Sequence, residues 1–260
     1  MPLFLTWMGM PDFSGFLQGP LEWAIFLSCA ILIGMSKTGV PNIGTFTVPI
    51  FALLFGAKAS TGIVLPMLCM ADLLAVIYYR KKFHRDLVLK PMPWALLGVV
   101  VALMAGHLIP QSGFKVMMGV CILVGIITMV ATRHPERAYA LTESPWFAPV
   151  MGFLLGFSTM IGNAAGPLLV VYLLALRLPK FAFVATGAWF IMTLNYLKIP
   201  LQAFVWDNLS WNSLLLDLTA LPFILIGGIL GIRIVHILPE RTFKTAMIAL
   251  TVISTLFLLF

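Results

Sequence analysis

Charged residues are scarce in this sequence. Only 10% of its 260 residues are charged, whereas 61% are apolar, and the mean hydropathy is +1.06. A soluble globular protein of this length carries more polar residues than that, so the composition excludes one. The apolar runs are separated by short polar loops, and no polar block is long enough to fold alone. We therefore predict a single polytopic membrane domain over residues 1–260, surrounded by the lipid bilayer.

Patterns of catalysis and metal binding are missing as well. The sequence contains no HExxH, GxSxG or Walker A motif and no pair of acids within its apolar runs. We therefore expect no enzyme, no metal site and no cofactor. The three cysteines, Cys29, Cys69 and Cys121, lie in apolar runs without CxxC spacing, which is typical of small buried side chains. Residues 1–20 lack the basic stretch of a cleavable signal peptide, so we expect insertion to depend on the first internal apolar run.

Apolar runs are what the sequence has in abundance, and ten can be laid out in order. A helix needs about 20 apolar residues to cross a bilayer. The first, second, sixth and seventh runs are shorter, and we expect them to form short tilted helices or the limbs of re-entrant hairpins. The runs cover residues 22–36, 42–56, 59–79, 91–109, 115–132, 146–161, 164–177, 180–198, 214–235 and 243–260.

The second half of the chain repeats the first. Six residues recur 122 positions later: Gly34, Ser36, Gly44, Val48, Leu54 and Lys58 match Gly156, Ser158, Gly166, Val170, Leu176 and Lys180. Near the ends of the halves the interval is 129, and His107, Pro110, Phe114 and Lys115 match His236, Pro239, Phe243 and Lys244. We predict repeat 1 at about 22–132 and repeat 2 at about 146–260, with the extra residues of the second copy inserted between Ile199 and Asn212.

The number of segments predicts how the two repeats are oriented. Each repeat has five apolar runs, and a re-entrant hairpin removes two crossings at once, so the number of crossings stays odd. An odd number inverts the second repeat relative to the first, an arrangement found in many transporters. If each short pair is instead one broken span, the number is even and the repeats run parallel. The predicted fold is thus an all-α membrane protein with two inverted repeats, and parallel repeats are the alternative.

The charges of the loops favour the inverted arrangement. With the N-terminus outside, the cytoplasmic loops hold most of the Lys and Arg residues, as the positive-inside rule requires, and both termini lie outside. Anionic lipid headgroups, rather than nucleic acid, are then the expected partners of the net charge of +7. The outer loops keep Lys58, Lys115 and Lys198, and the cytoplasmic loops carry Arg80, Lys81, Lys82, Arg85, Lys90, Arg133, Arg137, Arg177, Lys180, Arg241 and Lys244.

Each repeat opens with an apolar segment that Gly, Ser, Pro and Asn interrupt. The first interruption runs from Gly34 to Gly44, and the second from Gly156 to Pro167. Helices that start after such breaks carry partial positive charge and free amides at their N-termini, which suits an anion. We predict a substrate site near the middle of the bilayer, with Gly and Pro serving only helix packing as the alternative. Its candidate side chains are Ser36, Thr38, Asn42, Ser158, Thr159 and Asn163.

Two ionisable residues stand out beside these breaks. Lys37 lies within the first break, where the second copy has Thr159, and it either binds the anion directly or extends to the headgroups. Asp72 lies eight residues before Arg80 in a long apolar run, about 12 Å deeper along a helix. We expect it to bind a coupling proton or cation or to neutralise Lys37, with a structural hydrogen bond as the alternative. Asp217, near the start of its run, is interpreted as an interfacial acid.

Several short motifs resemble the sulfite exporter TauE/SafE family of permeases over nearly the whole chain. They are Gly34-Met35-Ser36-Lys37-Thr38-Gly39, Gly156-Phe157-Ser158, Thr186-Gly187, and Gly227-Gly228-Ile229-Leu230-Gly231 before Leu238-Pro239-Glu240. The resemblance implies a secondary carrier of the bacterial inner membrane for small sulfur-containing or organic anions. By position it implies site roles for Ser36, Lys37, Asn42, Ser158 and Asn163. The second break departs from symmetry because it has no basic residue.

The predicted function is export of a small anion, such as sulfite or a sulfonate, by alternating access. The competing hypothesis is a non-transporting membrane protein, such as a chaperone or an assembly partner, which needs no polar cavity. Convergence of Ser36, Asn42, Ser158 and Asn163 on one cavity would favour transport.

Overall fold

The structure is a computed structural model that describes residues 13–110 and 135–259 and, between them, residues 113–114, 116–117, 120–121, 123–124 and 127–128. All regular structure in this part of the chain is helical. A 3₁₀ helix spans Ile43–Phe46. The α-helices are α1 (Pro20–Thr38), α2 (Thr47–Phe55), α3 (Ala59–Ile63), α4 (Leu65–Tyr79), α5 (Arg85–Leu89), α6 (Met92–Leu108), α7 (Pro135–Thr142), α8 (Phe147–Gly162), α9 (Gly166–Ala175), α10 (Lys180–Phe204), α11 (Trp211–Ile237) and α12 (Glu240–Leu259).

The described helices confirm nine of the ten predicted apolar segments. In the run 115–132, part of which lies outside the described residues, the described positions are helical. Five helices are long and apolar enough to cross a membrane: α1, α3 with α4, α5 with α6, α10 and α11. The second, sixth and seventh segments form shorter apolar helices, as predicted.

Two predicted bounds were wrong. The first segment is not short, because α1 has 19 residues and extends from Pro20, a favoured first-turn residue, to Thr38. The eighth segment does not end at Lys198, because α10 continues to Phe204 with Pro200 inside it. Proline is tolerated within a membrane helix when neighbouring groups satisfy the freed backbone, so Pro200 does not mark the start of a loop.

Glycines allow two pairs of helices to pack so closely that their backbone atoms are in contact. A methyl group at Gly34 would overlap the Ile224 carbonyl, and one at Gly227 would overlap the Ile31 carbonyl, so α1 and α11 approach closely. In membranes, where lipid is as apolar as leucine, such small residues are a main source of helix association.

The second closely packed pair, α6 and α8, corresponds to the first pair, α1 and α11, with the two halves of the chain exchanged. A methyl group at Gly156 of α8 would overlap the Ala95 carbonyl of α6, and one at Gly98 would overlap the Phe153 carbonyl. Gly34 precedes Gly156 by 122 positions and Ala95 precedes Ile224 by 129, the two intervals of the sequence repeat. The first apolar segment of each half therefore packs on the fourth apolar segment of the other half, a reciprocal pattern of the kind that two-fold symmetry produces.

The helices of the third apolar segment of each half, α4 and α10, cross each other in antiparallel directions. Asn195 bonds to Asp72, whereas the backbone N–H of His84, twelve residues after Asp72, donates to Thr186, nine residues before Asn195. Ala75 and Val76 of α4 also pack with Ala188 of α10. The contacts therefore advance along α4 while they retreat along α10. This crossing lies beside the two chain breaks and positions the candidate site.

Candidate functional site

A cavity of about 110 Å³ lies where the two chain breaks meet. Within the first break, residues 39–46 interrupt the α-helix and join α1 to α2, and within the second, residues 163–165 join α8 to α9. The breaks touch, since a methyl group at Gly166 would overlap Asn42 Oδ1. The space would hold several water molecules or one small anion. Its polar lining comprises Ser36, Lys37, Asn42, Thr45, Thr47, Ser60, Thr61, Asp72, Thr159, Asn163 and Asn195.

An asparagine in the left-handed backbone region shapes each break. Asn42 has φ 70° and Asn163 has φ 52°, a conformation that Asn adopts more readily than most residues with a side chain. Asn163 ends α8 and its N–H donates to the Thr159 carbonyl at 3.1 Å. Pro167, in the first turn of α9, then starts the next helix. The two asparagines thus set the backbone of the breaks, a function that their interpretation as side-chain ligands did not include.

Lys37, Asp72 and Asn195 form one chain of polar contacts in the cavity wall. Lys37 Nζ lies 2.8 Å from Asp72 Oδ1, and the Asp72 side chain is fully buried. Asn195 Nδ2 donates to the other carboxylate oxygen, Asp72 Oδ2, at 2.6 Å. Lys37 therefore faces the interior and pairs with Asp72 instead of extending to the headgroups. The pair links the first break to the crossing of α4 and α10.

Lys198 contacts the second break, and the sequence analysis placed it wrongly, in an outer loop. It lies in α10 with no exposed surface. Its Nζ donates to the Thr159 carbonyl at 2.9 Å, to Thr159 Oγ1 at 3.0 Å and to Asn163 Oδ1 at 2.7 Å. A cation is favourable at the C-terminal end of a helix, here α8. The second break thus does have a basic side chain, supplied by a different helix.

A polar network behind the second break was also not predicted. Asn163 Nδ2 donates to the Thr61 carbonyl at 3.1 Å, so both ends of that amide are held by protein groups. Gln202 Nε2 donates to Thr61 Oγ1, and Asn208 Nδ2 donates to Gln202 Oε1, each at 3.1 Å. Gln202 lies in the part of α10 that was interpreted as a loop. The network fixes the second break to α3 and to the end of α10.

Two predicted ligands do not line the cavity. Thr38 Oγ1 lies 3.0 Å from the Gly34 carbonyl and 2.8 Å from the Gly228 carbonyl, so its hydroxyl joins α1 to α11. Ser158 Oγ donates to the Ala164 carbonyl at 3.2 Å and lines a separate apolar pocket. Ser158 thus bonds to backbone within the second break, and Thr38 bonds to the backbone of α1 and α11. The other predicted residues, Ser36, Lys37, Asn42, Thr159, Asn163 and Asp72, line the cavity together.

Asp217 was interpreted as an interfacial acid, and that was wrong. It lies in α11 with no exposed surface, and neither carboxylate oxygen has a hydrogen-bond partner among the described residues. It does not line the cavity. Its neighbours Leu216 and Ala220 belong to the apolar cluster that also contains Phe26 of α1 and Met67 of α4.

The comparison with protein families gives a match over nearly the whole chain. The family model of the sulfite exporter TauE/SafE matches residues 25–258, a range that contains both breaks and every residue that lines the cavity. No curated protein and no solved structure gives a significant match. The long apolar helices agree with the multi-pass membrane character of this family. With nearly its whole length matched, the chain belongs to the sulfite exporter TauE/SafE family of membrane transport proteins.

Proposed function

We propose that the protein is a secondary carrier that exports sulfite or a related small organosulfur anion, such as a sulfonate, across the bacterial inner membrane. The main support is the cavity, in which a lysine and polar side chains from both breaks surround a volume suited to one small anion. Paired interrupted helices near the middle of the bilayer form the substrate site in many secondary carriers. The family description supports the choice of sulfite.

The anion would bind to Lys37, to the hydroxyls of Ser36 and Thr159, and to the start of α9. Residues Ala165 and Gly166 at that helix start line the cavity, and the first-turn amides of a helix have no partner within the helix. Lys37 already contacts Asp72, so an anion that binds Lys37 competes with the carboxylate. Substrate binding would therefore weaken the Lys37 to Asp72 pair.

The same competition couples the substrate to a second ion. Once the anion holds Lys37, the fully buried Asp72 keeps only its hydrogen bond from Asn195. A buried carboxylate without a compensating cation is costly, and a proton or a cation bound at Asp72 would remove that cost. We therefore assign the coupling role to Asp72.

Alternating access would come from movement of two inverted repeats around this site. The antiparallel crossing of α4 and α10 supports inversion, because repeats of parallel orientation would place these equivalent helices parallel. The reciprocal glycine contacts support it too. The symmetry axis would pass near Asp72 and Asn195, next to the cavity. In this arrangement both termini lie outside the cell.

A non-transporting assembly protein is the weaker alternative. Such a protein needs an exposed interaction surface but no polar cavity at its centre. Three of the four side chains chosen to separate the two hypotheses, Ser36, Asn42 and Asn163, line the same cavity. Ser158, the fourth, bonds to backbone nearby. This convergence favours transport.

Sulfite flux in reconstituted vesicles tests the function through Lys37. We expect Lys37→Met to reduce sulfite flux roughly tenfold or more, because a charge-assisted contact to the anion contributes about 1.5–3 kcal/mol. Lys81→Met, which removes an exposed lysine, should keep normal flux. The double variant Lys37→Met with Asp72→Asn avoids an unpaired buried acid and controls for folding. Wild-type protein that carries none of sulfite, sulfonates, thiosulfate or small carboxylates would contradict the proposed function.

A further inference from the structure

Two amide side chains in the cavity wall each keep an acceptor oxygen without a donor. Asn42 is 3% exposed and Asn195 is 1% exposed, and within the described residues the Oδ1 atom of each makes no hydrogen bond. Both residues line the cavity. Buried polar atoms without a partner are rare and costly, which indicates that something outside this set of residues supplies the donor.

The orientation of both amides follows from their neighbours. Asn195 Nδ2 faces Asp72 Oδ2 at 2.6 Å, and an ionised carboxylate oxygen only accepts. Asn42 Nδ2 faces Thr251 Oγ1, which itself donates to the Met247 carbonyl at 2.6 Å and therefore accepts from the amide. In each side chain the NH₂ group donates a hydrogen bond to its neighbour, and the amide oxygen is the atom left without a hydrogen-bond donor.

These oxygens restrict the kind of anion that fits. An anion whose atoms only accept hydrogen bonds can satisfy Lys37 and the hydroxyls, but it leaves Asn42 Oδ1 and Asn195 Oδ1 without a donor. Resting on the proposed function, we infer that the transported anion itself carries a hydrogen-bond donor. This class comprises hydroxy- or amino-substituted sulfonates and carboxylates, and protonated oxyanions such as hydrogensulfite. Its charged end binds Lys37. Its donor end binds one of the two amide oxygens when it is a hydroxyl, and both when it is an amino group with two or more N–H donors.

The two acceptors belong to different halves of the molecule. Asn42 lies in the first break, and Asn195 lies in α10 of the second half. Both oxygens are shielded from solvent in this conformation, so a donor reaches them when the halves have moved apart. An amino group held by both oxygens then joins the halves, and recognition of such a substrate favours the closed state.

Matched pairs of anions test the donor requirement. Hydroxymethanesulfonate and ethanesulfonate differ by a hydroxyl in place of a methyl group, and so do glycolate and propionate. Inhibition of sulfite flux in vesicles and thermal stabilisation in detergent are measured for each compound. We expect the hydroxyl member of each pair to act at a concentration roughly tenfold lower, because its analogue leaves buried acceptors unpaired. Equal potency within both pairs would overturn the inference.

Two glycine variants test whether Asn42 Oδ1 accepts the hydrogen bond from the substrate. Asn42→Gly keeps the left-handed backbone and removes one of the two oxygens that lack a donor. We therefore expect the preference for the hydroxyl member of each anion pair to fall severalfold. Asp207→Gly changes an exposed residue of the same left-handed backbone type that does not line the cavity, so the preference should persist in it. An unchanged preference in folded Asn42→Gly would remove Asn42 from donor recognition. If Asn42→Gly does not fold, the comparison of the anion pairs in the wild-type protein still tests the donor requirement.

The two measurements separate the failure of the inference from the failure of the proposed function. Donor-dependent stabilisation of a protein that carries no anion in vesicles would contradict transport and leave the donor preference standing. Sulfite transport with equal binding within the pairs would contradict the donor requirement alone. The absence of both flux and stabilisation would overturn both.

Discussion

At the scale of single residues, two lysines and one acid organise the polar centre. Lys37 pairs with Asp72, whereas the described contacts of Lys198 are to the uncharged oxygens of Thr159 and Asn163. When all three groups are ionised, the centre carries one positive charge in excess. Such an excess in a region of low dielectric constant attracts an anion.

Substitution of Asp72 tests its coupling role. Asp72→Asn cannot exchange a proton, so we expect sulfite flux down its own gradient to continue and flux driven by a pH gradient to fall to the background level. The measurement compares both fluxes in vesicles. Asp207→Asn is a matched control, since Asp207 is exposed and its left-handed backbone also suits Asn. Unchanged pH-driven flux in the folded variant would leave Asp72 a structural hydrogen-bonding group.

Substitution of Lys198 should affect stability. Lys198→Met removes three hydrogen bonds and leaves Thr159 and Asn163 with buried acceptors, so we expect a loss of about 3 kcal/mol in stability. Thermal unfolding in detergent, with Lys81→Met as the exposed control, checks this expectation. A melting temperature equal to that of wild type would mean that the second break does not depend on Lys198.

At the scale of elements, the lengths of the apolar runs predicted which segments are helical, but not where each helix ends. Run length identified nine helical segments because a bilayer selects for it. Lys198 was missed because a lysine followed by Pro200 resembles the end of a span, whereas here the polar group satisfies a neighbouring helix end. Thr61 and Gln202 carried no local signal, since their importance arises only when α3 and α10 meet.

The close helix pairs make glycine substitution an element-scale test. Gly156→Ala places a methyl group against the Ala95 carbonyl, a rigid backbone atom, so we expect a loss of about 1–3 kcal/mol. Gly34→Ala should act similarly against the Ile224 carbonyl. Gly15→Ala, which meets open space, is the control. The measurement is the thermal stability of the three variants in detergent, and equal values would show that α1 and α8 are not held at backbone distance.

At the scale of the whole molecule, the inverted arrangement predicts opposite sides for two loops. Single cysteines at Lys81 and Val205, both exposed, are introduced after replacement of Cys29, Cys69 and Cys121. In intact cells we expect a membrane-impermeant thiol reagent to label the cysteine at 205 and not the one at 81. Labelling of both positions from the same side would rule out inverted repeats.

The reciprocal packing of the two halves also constrains how the protein is made. The glycine face of α1 is covered by α11, which begins at Trp211, so almost the entire chain must be synthesised before α1 has its partner. Until then that face lacks α11, so its pairing is among the last events of assembly. A chain that stops before α11 would leave the glycine face of its first helix uncovered, although α1 would keep its contacts with α4.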